Sequence, residues 1–247
     1  MYLCVVNQKV NRGGGPTLYL LPVPLSDVAP AAVMPQRNIE IARAVKYFIV
    51  ENLRSARRFL KRCDASIDID SLSFSVLDEH TDAADVAAML DPMAEGHDIA
   101  VVSEAGCPAV ADPGALAVDA ALERGYNVEP LVGPSSILLS LMASGFNGQK
   151  FAFEGYLPHE AAARQRRLKE MTARIDRDGQ TQIFIETPYR NNRLIAELAR
   201  TLPGRYRLCV CSDLTGPAQR VVRKPLSLWA KAEYNFDKTP AIFLLYS

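Results

Sequence analysis

A chain of 247 residues, 49% of them apolar, can build one large α/β domain or two smaller ones around a sizeable core. Its 28 basic and 28 acidic residues balance, so no global field selects a polyanion or an anionic membrane, and any such partner must be met by a local patch. The five cysteines (Cys4, Cys63, Cys107, Cys209, Cys211) are odd in number and lack a C-x-x-C pair, no secretory leader is evident, and no apolar run reaches membrane-spanning length, so a reducing cytoplasm without a membrane contact is expected.

Residues 1–16, ending in a glycine run, read as a lead-in segment. From Thr17 short apolar runs alternate with amphipathic stretches, the pattern of βα units and a largely parallel sheet. "TLYLLPV", "KYFIV", "LSFSVL", "DIAVVS" and "NVEPLV" are the strand candidates of the first half, with helices expected over Asn52–Arg62, Ala83–Ala94 and Gly114–Arg124. These make one α/β domain, residues 17–131.

A second domain of similar size, residues 132–247, follows. Its elements are a helix over Ile137–Ser144, the strand "KFAFEGY", a basic helix over Ala161–Ile175, the strand "TQIFIE" and a helix over Tyr189–Leu202. "YRLCVCS", "QRVVR", a short helix around Trp229 and "PAIFLLY" complete it. Cys209 and Cys211, two apart on a strand, share one face with side-chain vectors unsuited to a bridge, and are core residues on this reading. The fold class is therefore α/β in two domains, with a cleft between them as the favoured place for a ligand.

Three loops carry chemical signals. "PVPLSD" stiffens the exit of the first strand with Pro22 and Pro24. "SEAGCP" ends a buried strand with Gly106, which permits close backbone approach, and with the Glu104 carboxylate. "GPSS" opens a helix with Ser135 and Ser136, which serve either as N-caps or as ligand hydroxyls at a helix N-terminus. Asp112 and Pro113 read as the cap and first turn of the helix that follows. There is no Walker loop, G-x-G-x-x-G after a strand, H-E-x-x-H or G-x-S-x-G, and His80, His97 and His159 lack ligand spacing, so no metal is expected. Arg164, Arg166, Arg167 and Lys169 give one helix a basic face, readable as an RNA phosphate track or as a solvated face beside Glu170 and Asp176.

In order, "LYLLPVPLSD", "VENLRSARRFLKR", "IAVVSEAGCPAVADPG", "PLVGPSS", "FAFEGYLP", "IFIETPYRNNRLIAEL" and "TPAIFLLYS" resemble the tetrapyrrole methylase superfamily, and within it the bacterial 16S ribosomal RNA cytidine 2′-O-methyltransferases. The resemblance covers nearly all of the chain after residue 16. It implies two α/β domains with S-adenosylmethionine (SAM) folded up in the interdomain cleft. The implied cofactor contacts are Pro24, Glu104, Ala105, Gly106, Cys107, Val110, Ser135, Ser136, Phe184, Ile185, Pro240 and Ala241. Glu51, Arg54, Glu186 and Arg190 match motif positions that line the acceptor side and are the implied catalytic residues. Read locally, Glu51 could equally cap the next helix and Arg190 could be solvated. A homodimer acting on 16S rRNA or the small ribosomal subunit is implied as well.

Departures from that group cluster on the acceptor side. Ser26 and Asp27 replace its glycine and asparagine, and Asn52 and Leu53 replace an acid and a hydroxyl. Glu104 and Cys107 stand for aspartate and threonine, Ser212 and Asp213 for arginine and glutamate, Gly216 for lysine, and Gln219 lies where an acid is usual. "TPAI" replaces a Gly-Glu pair. Three functions follow: rRNA ribose 2′-O-methylation as the leading one, methylation of a tetrapyrrole or other small molecule, or a degenerate SAM- or RNA-binding module without turnover.

Overall fold

The computed structural model describes residues 15–78 and 80–247; the expected lead-in, Cys4 included, lies outside them apart from Gly15 and Pro16. The elements run β1 (Thr17–Leu21), α1 (Pro30–Val33), α2 (Gln36–Ala44), β2 (Tyr47–Val50), α3 (Leu53–Cys63), β3 (Ser73–Val76), α4 (Ala83–Met89), α5 (Asp91–Ala94), β4 (Ile99–Val102), α6 (Gly114–Glu123) and β5 (Asn127–Pro130). They continue with α7 (Ser136–Ser144), β6 (Phe151–Tyr156), α8 (Ala161–Asp178), β7 (Thr181–Ile185), α9 (Asn191–Thr201), β8 (Arg207–Ser212), β9 (Arg220–Pro225), α10 (Leu226–Trp229) and β10 (Ala241–Tyr246). Contacts divide the chain into two units. Unit 1 holds the described residues through Val23 and Met34–Gly133; unit 2 holds Pro24–Val33 and Pro134–Ser247.

Unit 1 is built on a five-stranded sheet ordered β3-β2-β4-β1-β5, every pairing parallel. Parallel strands need crossovers and are buried on both faces, which is why β4, Ile-Ala-Val-Val, is buried at all four positions while the edge strands β3 and β5 are not. Leu18, Ile49, Leu90, Val101 and Ala117 form part of its core. The helix expected over Ala83–Ala94 is two helices, because Pro92 lacks an N–H and its ring crowds the carbonyl four residues back. Between β1 and β2 lies α2, for which the sequence reading assigned no element. Its buried face is Asn38, Ile39 and Ala42, and the Asn38 amide donates to Val132 O at 2.9 Å.

Unit 2 has a five-stranded sheet ordered β6-β7-β10-β8-β9, parallel only between β6 and β7. Alternation divides its side chains between two cores. Phe184, Leu208, Val210, Phe243 and Leu245 join Trp229 and Phe236 on one side, while Ile183, Cys209, Cys211, Ile242 and Leu244 join Leu141 and Phe146 on the other. Trp229 Nε1 donates to Leu208 O at 3.0 Å, so the largest buried side chain leaves no orphan donor. Cys209 and Cys211 share a face as expected, with their sulfurs 3.8 Å apart; that shared hydrogen bond and burial push the Cys211 thiol up. The helix expected over Tyr189–Leu202 begins as a 3-10 turn, Pro188–Arg190, before α9. No helix among the described residues is long and apolar enough to cross a membrane.

Candidate functional site

In unit 1, β1 lies between β4 and β5, and parallel pairing sends the loops after all three strands to one edge of the sheet. There they are tied together. Val23 and Gly106 form a reciprocal antiparallel bridge, each N–H donating to the other's carbonyl at 2.9 Å. Flanked by two prolines, Val23 is the donor that segment has to give, and it is spent on the glycine turn. Gly133 packs so closely on Pro22 that a Cβ there would overlap the proline ring. Cys107 Sγ lies 3.9 Å from Gly133 O.

The Glu104–Asp112 loop is held in an unusual backbone shape. Gly106 has φ 80°, and Ala109 and Ala111, which carry a Cβ, have φ 65° and 63°. Such strain persists where surroundings enforce it. Asp112 does so here: its Oδ1 accepts from Ala109 N and from Gly114 N, both at 2.8 Å. It therefore satisfies the first amide of α6, although Pro113 and not Asp112 stands at the N-cap, and it also fixes the loop before the helix. Burial raises the Asp112 pKa, partly offset by those two donors. Val110, at the crest of the loop, is 50% exposed.

Two further carboxylates meet at this edge. Glu51 Oε2 accepts from Glu104 N at 2.7 Å, and Ser55 Oγ lies 3.5 Å from Glu104 Oε1. Glu51 does not cap α3, because Asn52 does so, its side chain accepting from Ser55 N at 3.0 Å. Burial pushes the Glu51 pKa up, the Glu104 N–H opposes that, and the Asp112 and Glu104 charges add to it. Arg54 lies on the exposed face of α3.

In unit 2, Glu186 follows β7 and its Oε1 accepts from Thr187 N at 2.7 Å and from Arg190 Nη2 at 2.6 Å. Arg190 Nε also donates to Thr187 Oγ1 at 3.0 Å, and Nη1 to His159 Nδ1 at 2.7 Å. A guanidinium only donates, so Nδ1 takes the accepting role in this contact. Arg190 is thus a fixed group joining the loops after β6 and β7. Ser135 caps α7, its side chain accepting from Leu138 N at 3.4 Å, and Ser136 is the first helical residue. Phe184 is fully buried and stacked on Phe243, with ring centroids 5.7 Å apart, so it offers a ligand its main chain only. Ile185 pairs with Ile242 and Ala241 with Ser212, placing the Phe184–Ile185 and Pro240–Ala241 pairs at one end of the sheet.

One arrangement has no local sequence signal. Asp213, at φ 48°, accepts from Ser26 Oγ at 2.5 Å and from Ala218 N at 2.8 Å, and its own N–H donates to Pro240 O at 3.1 Å. Gln219 Oε1 accepts from Thr215 N at 2.8 Å, and the Asp213 carboxylate fills the space that a Cβ on Gly216 would need. Ser26, Asp213, Gly216 and Gln219, four of the departures noted above, therefore form one network. The signal was available only as separate substitutions far apart in sequence.

The model of the family described as tetrapyrrole (corrin/porphyrin) methylases matches residues 17–228. The "Ribosomal RNA small subunit methyltransferase I" of Vibrio cholerae is 29% identical over 245 residues, 98% of this chain and 81% of that one. The protein of the same name in Mycobacterium tuberculosis is 33% identical over 183 residues, 73% of this chain but 62% of the relative's length. Among solved structures, that of the methyltransferase CobJ shares the fold with a TM-score of 0.61 and 16% identity, covering 95% of this chain and 94% of that one.

Proposed function

This chain belongs to the tetrapyrrole (corrin/porphyrin) methylase family, and from that premise we propose that it methylates a ribose 2′-hydroxyl of small-subunit ribosomal RNA. Membership makes it a SAM-dependent methyltransferase. The acceptor is the proposed part, drawn from relatives named as small-subunit rRNA methyltransferases that match this chain over most of its length.

The residues at the edge of unit 1 suit the cofactor. From Ser103 to Gly114 the loop carries no cationic side chain, while Glu51, Glu104 and Asp112 supply negative charge around it, the balance that a sulfonium requires. Main-chain groups in an enforced conformation and an exposed valine offer shape and apolar contact to a nucleoside. In this reading Pro24 and Glu104, Ala105, Gly106, Cys107 and Val110 hold the cofactor, together with Ser135, Ser136, Phe184, Ile185, Pro240 and Ala241. When bound, the cofactor supplies a methyl carbon on a positively charged sulfur.

A ribose hydroxyl is a poor nucleophile until its proton is drawn away, a contribution typically worth ~10²- to 10⁴-fold. The observation that carries the reading is Glu51, a half-buried carboxylate held against the main chain of that loop and made a stronger base by its surroundings. Glu51 takes the proton; Arg54, Glu186 and Arg190 hold and orient the acceptor. Alignment of the two reactants supplies several further orders of magnitude. The resemblance also implies a homodimer in the cytoplasm, which light scattering on the purified protein checks for assembly. The substrate is tested by offering labelled SAM with unmodified small ribosomal subunits or with a tetrapyrrole. Label on the subunit RNA is expected; label on the tetrapyrrole alone, or no transfer by a protein that binds SAM, overturns the acceptor.

A further inference from the structure

Two helices carry strings of basic residues, and the structure treats them differently. On α8 four of the six cations meet carboxylates of the same chain: Arg164 pairs with Glu197 at 2.8 Å, Arg174 with Glu154 at 2.8 Å, Arg177 with Asp178 at 2.6 Å, and Arg167 with Glu154 and Glu170 at 3.4 and 3.5 Å. Two of the four residues of the phosphate-track reading, Arg164 and Arg167, therefore spend their charge on internal pairing.

The eleven residues of α3 contain no acid. They carry Arg54, Arg57, Arg58, Lys61 and Arg62, at i, i+3, i+4, i+7 and i+8, all exposed on one side. Ala56, Phe59 and Leu60 bury the other side. Asp64, just past the helix, is engaged at 2.5 Å by Arg43 of α2. Arg57 lies 5.5 Å from the centroid of the Phe74 ring, and Lys61 Nζ donates to Ala65 O at 3.0 Å, contacts that leave both positive charges in place. The stripe, from Arg54 to Arg62, runs about 12 Å along the helix. Its N-terminal end begins at Glu51, Asn52 and the Ser55–Glu104 contact, so it leads away from the candidate site.

We propose that the outer face of α3, with Arg57, Arg58 and Lys61, is the surface on which the RNA sugar–phosphate backbone docks. A one-sign stripe on a molecule whose charges balance overall fits a linear polyanion, and each neutralised phosphate releases counterions. The carboxylates at the head of the helix repel phosphate. The backbone accordingly tracks along the stripe and leaves that head for the hydroxyl being methylated. This rests on the proposed rRNA acceptor.

The test measures binding of a fluorescein-labelled RNA hairpin over a salt series, using the full chain. In the triple variant Arg57→Gln/Arg58→Gln/Lys61→Gln, affinity at low salt falls on the order of tenfold or more, and the slope of log K against log salt becomes shallower by about one for each phosphate contact removed. SAM binding by calorimetry stays at the wild-type value. Arg57→Lys/Arg58→Lys, which keeps the charge, retains the slope, as does Arg166→Gln/Lys169→Gln on α8. Unchanged RNA binding in a triple variant that still binds SAM overturns the α3 surface and leaves the acceptor reading standing. Failure of the wild-type protein to bind the hairpin and to methylate small subunits overturns both. Loss of binding to phosphatidylserine vesicles with RNA binding intact assigns the stripe to a membrane surface and overturns the proposal.

Discussion

Glu51 illustrates how a single residue joins stability to chemistry. Burial, reinforced by the charges of Asp112 and Glu104, keeps its proton bound to higher pH in the folded chain than in the unfolded one. The stability this carboxyl contributes is thus present below the usual carboxylate pKa and is lost as pH rises through the raised value. Glu51→Gln retains an acceptor for Glu104 N–H without that cost, so it should melt at a higher temperature than wild type near pH 7 and at the same temperature near about pH 4. Its rate of methyl transfer should fall by ~10²- to 10⁴-fold. Thermal melts at the two pH values check the first part, and a variant less stable than wild type at neutral pH contradicts it. Gly216 makes a separate prediction. A methyl group there displaces the Asp213 carboxylate from Ser26 and Ala218, so Gly216→Ala should lower stability by about 1–3 kcal/mol in urea denaturation.

At the scale of elements, what the sequence made legible was periodicity. Continuous apolar runs marked β4 and β10 because buried strands admit no polar positions, and the serine and proline patterns marked the starts of α6 and α7. The α2 helix escaped because one of its three buried positions is Asn38, which reads as surface until its bond to Val132 O is seen. Pro92 was visible in the sequence, but its effect on α4 and α5 depends on the register of the helix around it. The loops of the candidate site were recognised as motifs, whereas their fastening was hidden. The Val23–Gly106 bridge, the seat of Gly133 on Pro22 and the Ser26–Asp213 contact all join residues far apart in sequence. Arg164 shows what such ties contribute between elements. It grips Glu197 of α9 through two bonds of 2.8 and 3.0 Å and donates to the carbonyls of Pro158 and His159. Arg164→Gln leaves a largely buried carboxylate unpaired and should cost roughly 2–4 kcal/mol. Chemical denaturation measures it, and a loss below ~0.5 kcal/mol would place the pair among surface ion pairs.

For the whole molecule, each unit carries its own sheet and core, and the loops of chemical interest leave the sheet ends rather than the helical layers. A cofactor that binds the folded chain alone stabilises it by mass action, by about 2.7 kcal/mol when its concentration is a hundredfold above Kd. The melting temperature should therefore climb with SAM concentration. Gly133→Ala, which forces a Cβ into the Pro22 ring, should blunt that climb even where the variant remains folded. An undiminished shift would remove the fastened loops of unit 1 from the cofactor site.

The central claim, SAM-dependent methylation of a ribose hydroxyl in small-subunit RNA, is tested most directly by where the label goes. Unmodified small ribosomal subunits are incubated with the protein and methyl-labelled SAM, and the RNA is then hydrolysed in alkali. Alkaline cleavage requires a free 2′-hydroxyl, so a 2′-O-methyl group protects the adjacent linkage. The account predicts label in an alkali-resistant dinucleotide; label released on mononucleotides, or none transferred by protein that binds SAM, would contradict it.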